Sequence, residues 1–150
     1  MTWTKLLANK EVQKRRPSKS ELGNIRALIA RDLADAAVKG LSVDRRFATA
    51  YNAALQVANM AIACAGYRVT GKTGHHKISF ESIRLALGQA ADKWADYFEM
   101  CRRKRNLIDY THSHVATETE AREILEKATE FYEFIEAWIV RSHPALKLKK

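Results

Sequence analysis

The chain has 150 residues, 47% of them apolar, a formal net charge of +9, and only 6 Gly, 2 Pro and 2 Cys. That is about one domain's length with enough apolar material for a core, which excludes intrinsic disorder, a collagen-like repeat and a disulfide scaffold. Cys64 and Cys101 stand far apart and outside any CxxC spacing, so they read as core thiols, since free Cys packs as a small hydrophobe.

The N-terminal segment has a short apolar stretch, Leu6 to Ala8, against the roughly 7–15 residues of an export signal. The longest apolar run, near Met60 to Gly66, falls well below the roughly 20 residues that cross a bilayer. The expectation is a soluble, cytoplasmic protein with no membrane partner. Residues 1–17 are basic and carry no periodic pattern, and are expected as a mobile or partner-ordered arm.

Helical periodicity then appears four times. Ser18 followed by Glu21 fits a capping box, and Leu22, Ile25, Ile29, Leu33, Ala36 and Ala37 recur at spacings of three and four up to Gly40, a left-handed stop. Ser42 and Asp44 open a second helix with a stripe of Phe47, Tyr51, Ala54, Leu55, Ala58, Ile62 and Ala65, ending at Gly66. Much of that stripe is Ala, which lets a neighbouring helix approach closely. A Gly-rich loop, Tyr67 to Lys77, follows.

Ser79 begins a third helical stretch through Leu87, Ala91, Trp94, Phe98 and Cys101, with Gly88 as a kink. Thr117 and Glu120 form a second capping box ahead of Ala121, Ile124, Ala128, Phe131, Ile135, Trp138 and Ile139, and Pro144 marks the end. Four amphipathic helices of about 20 residues predict an all-α fold, an antiparallel up-and-down four-helix bundle over residues 18–143. The basic segment 144–150 is expected as a mobile tail.

Charge is segregated. The last helix carries Glu118, Glu120, Glu123, Glu126, Glu130, Glu133 and Glu136, while basic residues gather between Lys10 and Lys19 and at Arg102, Arg103, Lys104 and Arg105. Such runs serve as solvated faces, and a +9 domain also favours phosphate backbones.

Gly66 to Thr73 satisfies GxxxxGK[ST], the phosphate-loop pattern. It is read as an interhelix loop, because a helix rather than a strand precedes it and Gly74-His75-His76 stands where a helix should start. No Asp-terminated apolar strand is present to hold magnesium. The histidines at 75, 76, 112 and 114 lack the carboxylate or thiolate pair of a tetrahedral site, so neither a metal nor a cofactor is expected. His75 and His76 read as loop histidines that could line a groove.

The segment Arg105-Asn106-Leu107-Ile108-Asp109-Tyr110-Thr111-His112 carries the most chemistry. Arg105 and His112 share one helical face if the stretch is helical. An Arg and a His near a helix end read equally as a surface pair. A ribonuclease working without metal needs a base for the 2′-hydroxyl, an acid for the 5′-oxygen and a cation on the phosphorane. His exchanges protons near neutral pH, and Arg stays charged and forks onto phosphate oxygens.

From about Ser18 to Arg141 the chain resembles a HEPN domain, a four-helix family of higher eukaryotic and prokaryotic nucleotide-binding-related proteins. The resemblance rests on the bundle, on Arg105, Asn106 and His112 as an Arg-polar-His motif after the third long helix, and on the loop Gly71 to His76. It implies a metal-independent endoribonuclease acting on RNA as a homodimer, the toxin or effector of a toxin–antitoxin or defence system. Arg105 would bind the scissile phosphate, His112 act as acid or base, and Asn106 orient the site. Arg102, Arg103 and Lys104, with His75 and His76, would hold the RNA. Such toxins pair with a nucleotidyltransferase-type antitoxin that modifies a Tyr two residues after the motif His. That position is His114 here, leaving Tyr110 as the substitute modification site. The family also contains non-catalytic modules that bind a nucleotidyltransferase-type or other protein partner, which is the alternative reading.

Overall fold

The computed structural model describes residues 1–71, 74–110 and 114–148, with Asp109 and Tyr110 described by their backbone alone. Among the described residues, six α-helices and two short strands follow in the order α1 (Trp3–Ala8), β1 (Val12–Lys14), α2 (Lys19–Ala36), α3 (Val43–Cys64), β2 (Tyr67–Val69), α4 (His75–Leu87), α5 (Asp92–Tyr110) and α6 (Glu118–Ser142). The fold is all-α, with α2, α3, α5 and α6 as its long helices.

The helix starts follow from capping chemistry. Ser18, Ser42 and Thr117 each accept a hydrogen bond from the backbone N–H three residues on, satisfying a donor that the first turn leaves open. At Thr117 the box is complete, since its own N–H donates to Glu120 Oε1 at 2.9 Å. Glu21 does not close the box at Ser18; its carboxylate faces Arg15 instead. Helix α2 stops at Ala36, before Gly40, and Gly40 does not take the left-handed conformation. Gly66, at φ +93°, does end α3.

Side-chain contacts fix the helix directions. Arg46 near the start of α3 pairs with Glu118 at the start of α6, whereas Arg26 in α2 pairs with Glu136 near the end of α6. Trp94 at the start of α5 stacks on Phe131, and Lys104 near its end meets Glu120. Helices α2 and α5 therefore run one way and α3 and α6 the other, the up-and-down arrangement. Helix α3 is the centre, with thirteen of its 22 residues buried. All seven stripe positions of α6 are buried.

The third helical stretch is a hairpin rather than one kinked helix. Gly88 adopts φ +75° and ψ −152°, a conformation essentially closed to residues with a Cβ, and a 3-10 turn over Gly88–Ala91 reverses the chain. Phe80 of α4 then stacks on Phe98 of α5 with centroids 5.5 Å apart, and Arg84 bonds both Asp92 and Asp96 across the turn. Helix α4 also starts at His75, four residues before Ser79.

Parts of both segments expected as mobile arms, residues 3–14 and 144–146, pack against the rest of the chain. Val12, Gln13 and Lys14 pair antiparallel with Val69, Arg68 and Tyr67, while Leu6 and Val12 are buried and Trp3 stacks on Tyr67 at 4.1 Å. Three-residue strands carry no periodic signal of their own; each exists because a segment distant in sequence supplies its partner. At the C-terminus Pro144–Leu146 forms a 3-10 turn, and Arg26 Nη2 donates to the Leu146 carbonyl at 3.0 Å. Among the described residues no helix is long and apolar enough to cross a membrane.

Candidate functional site

The hairpin at Gly88 carries the first turn of α4 back beside the last turns of α5. A cleft of about 400 Å³ opens between them, lined by Gly74, His75, His76 and Lys77 on one side and Arg102, Arg105 and Asn106 on the other. Gly74, at φ +85°, lets the chain turn into α4 so that both imidazoles stand at its first turn, rings 4.4 Å apart and edge to face.

The floor comes from α3. Tyr51 is fully buried, its ring tilted against Phe80, yet its phenol oxygen lies 3.3 Å from His76 Nδ1. The Arg105 guanidinium sits 5.5 Å from the centre of the same ring, and its Nη2 donates to Asn52 Oδ1 at 3.3 Å. One tyrosine thus supports a histidine and an arginine together. Burial pushes the Tyr51 phenol well above its ordinary pKa, against the opposing pull of Arg105 and Arg102, so it stays protonated at physiological pH.

Arg102 forms a forked pair with Glu99, with contacts of 2.7–3.2 Å. That hydrogen bonding, opposed by partial burial, holds the Glu99 carboxyl below its usual value. Lys77 faces Glu81 at 3.9 Å. Arg102 and Lys77 thus each face a carboxylate of their own helix, Glu99 and Glu81.

The other expected site residues fall elsewhere. Lys104 turns to Glu120 of α6, beside Phe47, Tyr97 and Cys101, and away from the cleft. Arg103 is exposed on α5 between the exposed Met100 and Leu107. His112 and the Tyr110 side chain lie outside the described residues. After them, the carboxylate of Asp44 at the start of α3 accepts from Val115 N at 3.2 Å and Ala116 N at 2.8 Å, anchoring the approach to α6.

As the sequence reading expects, a helix, α3, leads into the phosphate-loop pattern; contrary to it, α4 starts at His75, and a strand, β2, lies inside the pattern. The first glycine, Gly66, nevertheless precedes β2 instead of leaving it, so the strand occupies the positions where a phosphate cradle needs loop backbone. Lys72 and Thr73 lie outside the described residues. Among the described residues no group of three or more His, Cys, Asp or Glu is placed to hold a metal. Cys64 and Cys101 are buried, and burial raises each thiol to about 12, the range of inert packing groups.

Tyr51, Asn52 and Glu99 are the site residues that the sequence does not single out. Tyr51 hides in the apolar stripe of α3, and the only local sign is a phenol followed by an amide in a helix otherwise rich in alanine.

The chain matches no curated protein and no solved structure. Residues 36–136, more than half of the chain, match the family model of SAV_6107-like HEPN. That span holds α3, the α4–α5 hairpin with its cleft, and most of α6, and the chain therefore belongs to the HEPN family.

Proposed function

We propose that the protein is an endoribonuclease working without a metal ion, the toxin or effector of a toxin–antitoxin or defence system, and that it acts as a homodimer in the cytoplasm. The observation that carries this reading is the cleft that gathers Arg105, Asn106 and the two α4 histidines at the end of α5.

RNA cleavage by this route has the 2′-oxygen attack phosphorus while the P–O5′ bond breaks, leaving a 2′,3′-cyclic phosphate and a 5′-hydroxyl. Arg105, its guanidinium resting over the Tyr51 ring, offers a forked cation to the phosphorane oxygens. Asn106 orients the phosphate, and His112 exchanges a proton with one of the two oxygens. Arg102 and His75 line the path of the backbone, and Arg103 adds charge from the exposed side of α5. A nucleotidyltransferase-type antitoxin acting at Tyr110 is the partner this role calls for.

The test is cleavage of total RNA by the purified protein in EDTA and in magnesium, with Arg105→Ala and His112→Ala alongside and helicity checked by circular dichroism. The expected result is cleavage in both buffers by the wild type and a loss of two or more decades in each variant. Intact RNA in both buffers removes the nuclease reading. The second reading, a binding module, draws support from the exposed Glu123, Glu126, Glu130 and Glu133 on α6, an acidic face suited to a basic protein. It stands if RNA survives while replacing those four by Gln abolishes capture of a nucleotidyltransferase-type partner.

A further inference from the structure

From Ala50 to Cys64 of α3 every residue is buried except Asn52, Gln56 and Asn59. Spacings of four and three put these on one face of the helix. A face that only had to be wet would carry charges, as α6 does, and Asn is a poorer helix former than Lys or Glu. Three neutral groups, each both donor and acceptor, mark this face for hydrogen bonding instead. Resting on the reading above only for RNA as the ligand, we infer that the groove beside this face is a second binding site for single-stranded RNA. Its carboxamides read a base, and Arg68 holds the phosphate.

The groove has a volume of about 590 Å³ and lies between α2, the C-terminal half of α3 and the paired strands. That falls within the roughly 300–1,000 Å³ of sites that take small organic groups. Gln56 and Asn59 line it from α3, and Asn24, Ile25 and Leu28 line it from α2. Asn59 Oδ1 accepts from the buried Ser79 Oγ at 2.9 Å, which fixes the plane of that amide. An amide's N–H and C=O match the neighbouring donor and acceptor on a base edge. Ile25, Leu28 and the Tyr67 ring offer a flat base its apolar contact. Trp3 stacks on one face of Tyr67 at 4.1 Å, and the rest of that ring lines the groove.

Positive charge stands at the strand side. Arg68 is exposed on β2 and lines the groove, and Arg15, just after β1, lines it while facing Glu21 at 3.4 Å. Arginine forks onto phosphate oxygens. Asn52, on the same α3 face and roughly 10 Å from Asn59 along the axis, accepts from Arg105 Nη2 at 3.3 Å. One helix face thus joins the groove to the cleft, an arrangement that suits a continuous strand better than a free nucleotide.

The test measures binding of labelled 2′-fluoro strands of A, C or U by fluorescence anisotropy; these lack the attacking hydroxyl and survive a nuclease. Arg68→Ala should weaken every strand alike, by about threefold to fivefold, and lower the salt slope by roughly 0.7, the share of one phosphate contact on a single strand. Gln56→Leu should keep the slope and weaken the preferred strand by about fivefold or more, flattening the ranking of bases. Asn24→Ala, at an exposed position, should do the same, and carries the test if circular dichroism shows that Gln56→Leu does not fold. Arg122→Ala removes an exposed charge from α6 and should leave binding within about twofold. Ribonucleoside monophosphates should displace the strand only at about hundredfold excess or more.

Groove variants that all bind within about twofold of wild type, or a wild type that binds no strand, overturn the inference. So does a monophosphate that binds as tightly as the strand. Cleavage of ordinary RNA is read separately. A wild type that binds through the groove and cleaves nothing removes the ribonuclease reading and leaves this inference standing; cleavage with unaltered binding in the groove variants does the reverse.

Discussion

The α3–α6 body and the cleft end of the α4–α5 hairpin are built by different physics. In the body, alanines of α3 lie against Ile124, Phe131, Ile135 and Ile139 of α6, all fully buried, and apolar area with close packing sets the structure. At the cleft end the contacts are polar: Tyr51 to His76, Asn52 to Arg105, Glu99 to Arg102. Tyr51 belongs to both, with its ring in the core and its hydroxyl in the site. The scaffold thus rests on filled volume, whereas the site depends on one backbone reversal and a few directed contacts.

The body should break first. Phe98 is fully buried and its ring meets Phe80, Phe131, Trp94 and Tyr97 at 5.1–6.4 Å. Phe98→Ala should cost about 3–5 kcal/mol, from lost burial plus the cavity left behind. At the size of this domain that lowers Tm by roughly 6–20 °C, to be read by calorimetry. A change below about 1 kcal/mol would mean that the aromatic cluster is not what joins the hairpin to the body.

Next in size is Arg26. Its guanidinium donates to both oxygens of Glu136 at 2.7 and 2.8 Å and to the Leu146 carbonyl, with both side chains largely shielded. Arg26→Ala should cost about 1.5–3 kcal/mol, because Glu136 is left without its fork. Amide exchange should accelerate at Ala145–Lys147 and stay unchanged at Arg102–Asn106, at the opposite end of the bundle.

How far the sequence specifies each region follows the same division. The stripe of α6 and its capping box are legible because both signals are local. The reversal at Gly88 is not, since Leu87, Ala91 and Trp94 keep helical spacing straight across it. Only the sign of one φ distinguishes a kink from a hairpin, and α2 shows that a glycine after a helix need not be left-handed, because Gly40 is not. The strand pair is equally hidden, as Val12 and Val69 are distant in sequence. In the site, Arg105, Asn106, His75 and His76 can be picked out by residue type, whereas Tyr51 and Asn52 acquire their role only when α3 passes beneath the cleft.

Gly88→Ala sharpens that point. No atom lies within 4 Å of the added Cβ, so the cost is backbone strain at φ +75° rather than a clash, about 1–3 kcal/mol. The strain is relieved by reopening the turn, which moves Arg105 away from His76. Cleavage should therefore fall by more than the loss of stability explains. Gly66→Ala, strained at φ +93° beyond the other end of α3, should lower Tm comparably and leave kcat/KM within about threefold. Equal activity losses in the two would show that the reversal has no special tie to the cleft.

The smallest effect concerns Asp44, where a single side chain joins the start of α3 to the approach to α6. Partial burial raises its carboxyl pKa, but the N–H groups of Ala116, Val115 and His114 outweigh that and hold it below the ordinary 3.8. A depressed folded pKa contributes stability that is present above 3.8 and is lost as pH falls through the lower folded value. Asp44→Asn keeps one acceptor oxygen and removes the charge. The carboxylate is solvent-screened, so the variant should be less stable at pH 7 by under about 1 kcal/mol. The gap between the two proteins should close as the solution is acidified below pH 3.8, because protonated Asp and Asn then offer the same kind of acceptor. Urea unfolding at pH 7 and in acid measures both gaps. A difference that persists unchanged in acid would assign the anchoring of residues 114–116 to shape rather than to charge.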